Sequence, residues 1–333
     1  MFELLGISLA LAAFLIIDAV ASLITTVIWH AIEERVQHWS AAARSQLILT
    51  LRISPAIMAM TFVIAFLLPA YLIYEPRLTA EKVSFKLAVI AIISAAGLLF
   101  AAWRWLSAWR TTRSLINYWL QTAEPIRLDR VSIPAYRLRH SSPVIAVAGV
   151  FRPRLFIADH LFDLLSKNEL AAALAHECGH LAARDNLKRL LLRACCHVLT
   201  IVPCGRTLDR AWAETSESAA DEYAARPGGE AALEMASVLI KISRMVAETG
   251  KPMMPATVSH IADDVSAIAR RAERLMQLAM CDGATQKQRV FPGNVLLRFC
   301  LGALSATIVL AALIPHSFLT IHGWIEAAVR FLQ

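Results

Sequence analysis

Long stretches almost free of polar residues alternate along the chain with a central region in which apolar and polar positions mix. Four stretches, residues 4–29, 53–74, 87–106 and 295–318, are long and apolar enough to cross a bilayer, which takes about 20 residues at about 1.5 Å rise each. The first is too long for a signal-peptide core and has neither a basic start nor a small-residue cleavage site, so it reads as a retained anchor. Tyr71, Tyr74, Trp103, Trp105 and Trp109 stand near span ends, where amphipathic rings collect at a membrane surface. Asp18 is the one charge deep in these stretches; a functional carboxylate or an inward-facing, hydrogen-bonded one both suit it.

Between the third and fourth stretches the period changes. Residues 129–157 read as short strands, VSIPAYRL, PVIAVAGVF and RLFIA, broken by Gly149 and by Arg152-Pro153-Arg154, and a small antiparallel sheet or hairpin pair is expected. Ser166 with Glu169 three residues on forms a capping box ahead of LAAALAHECGHLAAR, a helix. Residues 187–203 are apolar but carry Lys188, Arg189, Arg193 and His197. They are too short and too charged for a fifth span and read as an amphipathic helix on the membrane or beneath the preceding helix. Further helices are expected over 207–225, 229–249 and 260–280.

Composition narrows the class. At 57% hydrophobic residues and a mean hydropathy of +0.54, the 333-residue chain is not an ordinary soluble protein. The net charge of +7 comes without a run of five basic residues. It reads as a positive-inside bias with attraction to anionic lipid, not as a nucleic-acid surface. The first two connections are balanced, with Arg35, Arg44 and Arg52 against Arg77, Lys82 and Lys86, but Arg104, Arg110 and Arg113 follow the third span at once. The expectation is a multi-pass protein of the cell (inner) membrane with three spans in residues 1–108 and a cytoplasmic α+β domain in 109–294. A fourth span at 295–318 and a short extracytoplasmic tail at 319–333 complete it. None of the six cysteines stands in a CxxC pair, so they read as free thiols of a reducing compartment.

The string His176-Glu177-Cys178-Gly179-His180 carries the chemistry. Histidines at i and i+4 share one helix face and can reach one metal, while the glutamate between them can address water at that metal. A catalytic zinc site keeps three protein ligands. Candidates for the third lie in ETSESAADEY, where Glu217 and Asp221 are again at i and i+4, with Glu214 beside them. One can bind metal while the other orients a ligand histidine. By themselves these carboxylates would equally make a solvated acidic face; beside a two-histidine half-site the ligand role takes precedence. Gly179 in mid-helix marks close approach by another element, and Ala219 and Ala220 suit the approaching one. Tyr223, His260, Arg270, Arg271 and Arg274 are oxyanion donors by residue type only. The strands just before the metal helix could offer an edge for an extended substrate segment, unless the helix ending near Trp119 or the first loop covers it.

PVIAVAGVFRPRLFIADHLF, ELAAALAHECGHLAARDN and ESAADEYAA, with three spans before the site and one after, resemble the BlaR/MecR-type antirepressor family of membrane zinc metallopeptidases. The resemblance covers about residues 129–225. It implies one Zn2+ ion held by His176, His180 and Glu217, Glu177 as catalytic base, and Asp221 orienting a ligand from behind. HtpX-type membrane proteases place two further spans between HExxH and the third ligand, whereas residues 181–216 here hold at most one apolar segment. Family members that sense β-lactams carry an extracellular domain after the last span; only a short tail is expected here, which leaves the signal open.

The expected function is a membrane-anchored zinc endopeptidase cleaving a cytoplasmic or membrane protein, with a transcriptional repressor in a signal transduction pathway as the regulatory case. Its expected partners are a protein substrate and membrane lipid, with no direct nucleic acid. The alternatives are a signalling scaffold with a non-catalytic metallopeptidase fold, an HtpX-like quality-control protease, and a transporter-like protein in which HExxH is accidental.

Overall fold

The computed structural model of the chain describes residues 2–76, 83–128, 131–139, 144–195, 204–249, 265–280 and 315–332. Among them, three helical stretches are long and apolar enough to cross a membrane, namely Phe2–Ile32, Ala41–Tyr74 and Phe85–Thr122. The first is α1. The second divides into α2 (Ala41–Phe62), a π-helical turn (Val63–Leu67) and α3 (Leu68–Tyr74), and the third is α4.

The second and third stretches outrun their apolar segments, and the extensions bind the membrane part to the rest. The helix expected from residue 53 starts at Ala41, where Ser40 Oγ accepts the Ala43 N–H. Its first turns bury Ser45, Ile48 and Arg52. The helix expected to end at 106 runs to Thr122, which carries Trp119 into the core of the central domain. Hydropathy registers lipid contact, so it misses helix that continues into protein.

Four strands follow: β1 (Ala123–Ile126), β2 (Ala135–Leu138), β3 (Ile145–Ala148) and β4 (Arg154–Ala158), ordered β1-β2-β4-β3. The sheet is mixed rather than antiparallel. β1 pairs antiparallel with β2 and β3 with β4, but β2 runs parallel to β4. The β3–β4 hairpin turns through Gly149, whose φ of 102° suits a residue without Cβ. β2 then takes the free side of β4, the other side being used by β3. β1 was not legible as a strand because it carries Pro125, which a sheet tolerates at an edge. Phe156, fully buried, centres the core, with Trp119 and Tyr136 at ring-centroid distances of 4.9 and 5.5 Å.

The short α5 (Leu161–Leu164) leads to α6 (Lys167–Ala183), then α7 (Asp185–Ala194), α8 (Cys204–Ala224), α9 (Gly229–Thr249), α10 (Val265–Met280) and α11 (Pro315–Leu332). The capping box forms: Ser166 Oγ accepts the Glu169 N–H at 3.1 Å and Glu169 Oε2 accepts the Ser166 N–H at 2.7 Å. Glu169 also takes Ser237 Oγ at 2.6 Å and Lys241 Nζ at 2.7 Å, which ties α6 to α9. α6 is flanked by α8, α9 and β3. The amphipathic helix expected over 187–203 is α7 as far as Ala194, packed among α4, α2 and α6; residues 196–203 lie outside the described residues. The fourth expected span lies outside them too, except 315–318. Residues 319–332, expected as a tail, are part of α11, which packs on α3 and brings His322 against Tyr74.

Candidate metal centre

α6 and α8 cross closely because Gly179 presents no side chain to Ala220 and Tyr223. The crossing sets the inward face of each helix against the other. His176 and His180, one turn apart on α6, meet Glu217 of α8, and one ligand atom from each of the three lies within 4.8 Å of the others. His176 Nε2 is 3.5 Å from Glu217 Oε2, and His180 Nε2 is 3.5 Å from Glu217 Oε1. Ligands about 2.0–2.1 Å from a tetrahedral zinc stand about 3.3 Å apart, so the spacing fits. His176 Nε2, His180 Nε2 and Glu217 Oε2 are buried with no hydrogen-bond partner, an arrangement that proteins avoid unless a further group satisfies it. The donor set fits a divalent cation of the zinc type.

Each histidine is held from behind by a carboxylate. Asp221 Oδ1 lies 3.0 Å from His176 Nδ1 and Asp185 Oδ2 lies 2.8 Å from His180 Nδ1. A carboxylate at Nδ1 fixes the ring and leaves Nε2 for the metal. Asp185 had not been singled out from the sequence. It follows HExxH by five residues and would leave the His180 face on a continuous helix. Arg184, in the left-handed conformation with φ 55°, ends α6 and turns Asp185 back.

Two arginines complete the surroundings. Arg271 of α10 gives Asp221 two hydrogen bonds, at 2.7 and 2.8 Å, and reaches Glu217 Oε2 at 3.4 Å. Arg189 of α7 donates to Glu217 Oε1 at 3.1 Å. Burial works against the charge of Asp221, but Arg271 and His176 outweigh it and hold that carboxyl down at about 2. Glu217 stays well below the carboxylate range despite burial because of His180, His176 and Arg271. His180 resists burial and is pushed up to about 10 by Glu217 and Asp185.

Glu177 differs. Burial pushes its carboxyl up, only partly opposed by the two histidines. Its Oε2 accepts the Val147 N–H at 2.9 Å, while Oε1 is buried with no hydrogen-bond partner. Val147 belongs to β3, the edge strand, so the strand edge does run beside the metal helix. Val147 O and Gly149 O both accept Asn186 Nδ2, at 2.8 and 3.2 Å. Side chains of α6 and α7 thus occupy the backbone groups of this edge at Val147 and Gly149.

The other candidates stand apart. Glu214 and Arg270 are exposed, and Tyr223 packs on Gly179 with Arg226 over its ring. Arg274 pairs with Glu222, whose carboxylate takes the Ala41 N–H at the start of α2. His260 lies outside the described residues.

Residues 130–277 match the model of peptidase family M48. The match indicates a metalloprotease-type hydrolase domain, and it spans the helix pair, both orienting aspartates and Arg271. A search of curated proteins finds no match to the chain. With three helices able to cross a membrane, fold and site together fit a membrane metallopeptidase.

Proposed function

We propose that the chain is a membrane-anchored, zinc-dependent endopeptidase in which His176, His180 and Glu217 hold one zinc ion and Glu177 is the catalytic base. The observation that carries this reading is the 3.5 Å spacing of both imidazole Nε2 atoms from one carboxylate, with the free Oε1 of Glu177 on the adjoining helix position. Zinc held by these three residues would supply Lewis acidity for a scissile carbonyl and would lower the pKa of water toward about 7. Glu177 takes the water proton at Oε1 and passes it to the leaving amine, a transfer favoured by the raised proton affinity that burial gives its carboxyl. Asp221 and Asp185 keep both rings aimed, and Arg271 keeps Asp221 in place. An extended substrate segment runs along β3 and exchanges Asn186 for its own backbone at Val147 and Gly149.

The catalytic domain faces the cytoplasm by its charge bias, and a fourth span returns the chain outward. The substrate is a cytoplasmic or membrane protein, with a transcriptional repressor as the regulatory case. Against an HtpX-like arrangement stands the stretch between His180 and Glu217, which holds α7 and the start of α8 and leaves no room for two spans. The test is zinc analysis of the detergent-purified full chain together with cleavage of unfolded casein. About one zinc per chain, cleavage by the wild type and zinc-loaded but inactive Glu177→Gln support the reading. A zinc-free wild type, or full activity in Glu177→Gln, overturns it.

A further inference from the structure

A cavity of about 340 Å³ opens between α4, the β3–β4 turn and α7, and one of its lining residues, Arg189, reaches Glu217. Its walls carry Arg113, Arg152, Arg154, Arg189 and Arg193, with Trp109 at one side and no aspartate or glutamate. Arg189 is engaged with Glu217. The side chains of Arg152 and Arg154 have no ion pair or hydrogen bond among the described residues, and that of Arg113 has only the Trp109 ring, whose centroid is 5.3 Å from its guanidinium carbon. Arg154 is partly buried and Arg113 and Arg152 are exposed at the rim, and so many guanidinium groups around one cavity with no carboxylate in its lining make a site matched to an anion.

Depth selects the anion. The apolar part of α4 ends near residue 106, and Trp109 to Asn117 are the next turns, about 4–16 Å further along the axis. A headgroup layer is roughly 5–8 Å thick, so with the apolar part of α4 in the hydrocarbon the Trp109 end of the cavity opens at headgroup level and the Asn117 end lies on its aqueous side. Phe151, at the tip of the β3–β4 turn, is 81% exposed beside that mouth. An exposed phenylalanine next to arginines at this depth suits an interface with acyl chains on one side and phosphates on the other. We infer that this cavity binds the phosphate headgroup of an anionic phospholipid, with Arg113, Arg152 and Arg154 as its main contacts. The inference rests on α4 crossing the membrane and not on the peptidase reading.

Native mass spectrometry of the detergent-purified full chain, offered phosphatidylglycerol or phosphatidylcholine, tests it. Phosphatidylglycerol is expected to be retained in preference. Each basic side chain at an anionic surface contributes on the order of fivefold, so Arg113→Gln/Arg154→Gln is expected to lower retention by roughly twenty-five-fold. The single Arg152→Gln, at an exposed position, is expected to lower it about fivefold and keeps the test valid if the double variant does not fold. Equal retention of both lipids, or retention unchanged in the variants, overturns the proposal. So does inorganic phosphate alone binding as tightly as the lipid, which would make the ligand a soluble anion. Loss of cleavage of acidic peptides with lipid retention intact would make the cavity a substrate subsite and overturn it as well.

Discussion

Gly179 and Ala220 touch backbone to backbone, since a Cβ placed on Gly179 would lie 3.1 Å from Ala220 Cα and equally close to Tyr223 Cβ. This contact sets the distance between the helix bearing both histidines and the helix bearing Glu217. Replacing the glycine by alanine gains up to about 1 kcal/mol of helix propensity but forces apart two packed helices, which costs about 1–3 kcal/mol. Gly179→Ala is expected to lose about 1 kcal/mol net and to bind zinc more weakly. A variant that melts higher and binds zinc normally would show the crossing to be slack.

The three proposed ligands and the two carboxylates behind them should separate by degree. His176→Ala, His180→Ala and Glu217→Ala are each expected to lose bound zinc. Asp221→Asn and Asp185→Asn should keep it with about 10–100-fold lower affinity, read by competition with a chelating dye. Full occupancy in Glu217→Ala would move the third ligand elsewhere. Glu222 is a poor substitute, being committed to Ala41 and Arg274.

That commitment gives a prediction of its own. Glu222 caps α2 from the middle of the domain, and Arg52 of α2 holds Asp209 of α8 at 2.8 Å, so α8 is fastened to the membrane helix at two points. Glu222→Ala removes a cap and leaves Arg274 without its partner; a loss of about 1–2 kcal/mol is expected. Thermal unfolding in detergent measures it, and an unchanged midpoint would mean that Arg52 and the apolar contacts alone suffice.

Glu169 makes stability depend on acid. Burial opposes its charge, but Lys241, Ser237 and the Ser166 N–H hold its carboxyl at about 2, below the ordinary carboxylate value it regains on unfolding. Its contribution is therefore complete above about pH 4.5 and is lost as the pH falls toward 2. Glu169→Gln is expected to be less stable than the wild type at pH 6, with the gap narrowing below about pH 4.5 and closing only as the pH falls to about 2. A gap that stays constant across this window would refute the assignment.

Orientation can be read in intact cells. The basic residues after the third span predict that a cysteine engineered at Asn168 stays unreactive toward an impermeant thiol reagent until the membrane is opened. Labelling from outside would invert the topology and remove any cytoplasmic repressor from the range of direct substrates.

Local pattern is enough for much of this. The apolar stretches, the capping box ahead of α6, the shared face of His176 and His180 and the pairing of Glu217 with Asp221 all depend on residues within a turn or two, and helix period alone determines them. Gly179 and Ala220 even hint at the crossing, because a residue without a side chain in mid-helix has few other uses. Tertiary structure decided the rest. The mixed order of the sheet, the anchoring of Glu222 on Ala41, and the arrival of Arg271 and Arg189 at Glu217 join residues far apart in the chain, where no period links them. Asp185 is the instructive case between the two: one left-handed residue, Arg184, turns it onto His180. A non-glycine residue is held in that conformation by the packing of α6 and α7, not by its own preference.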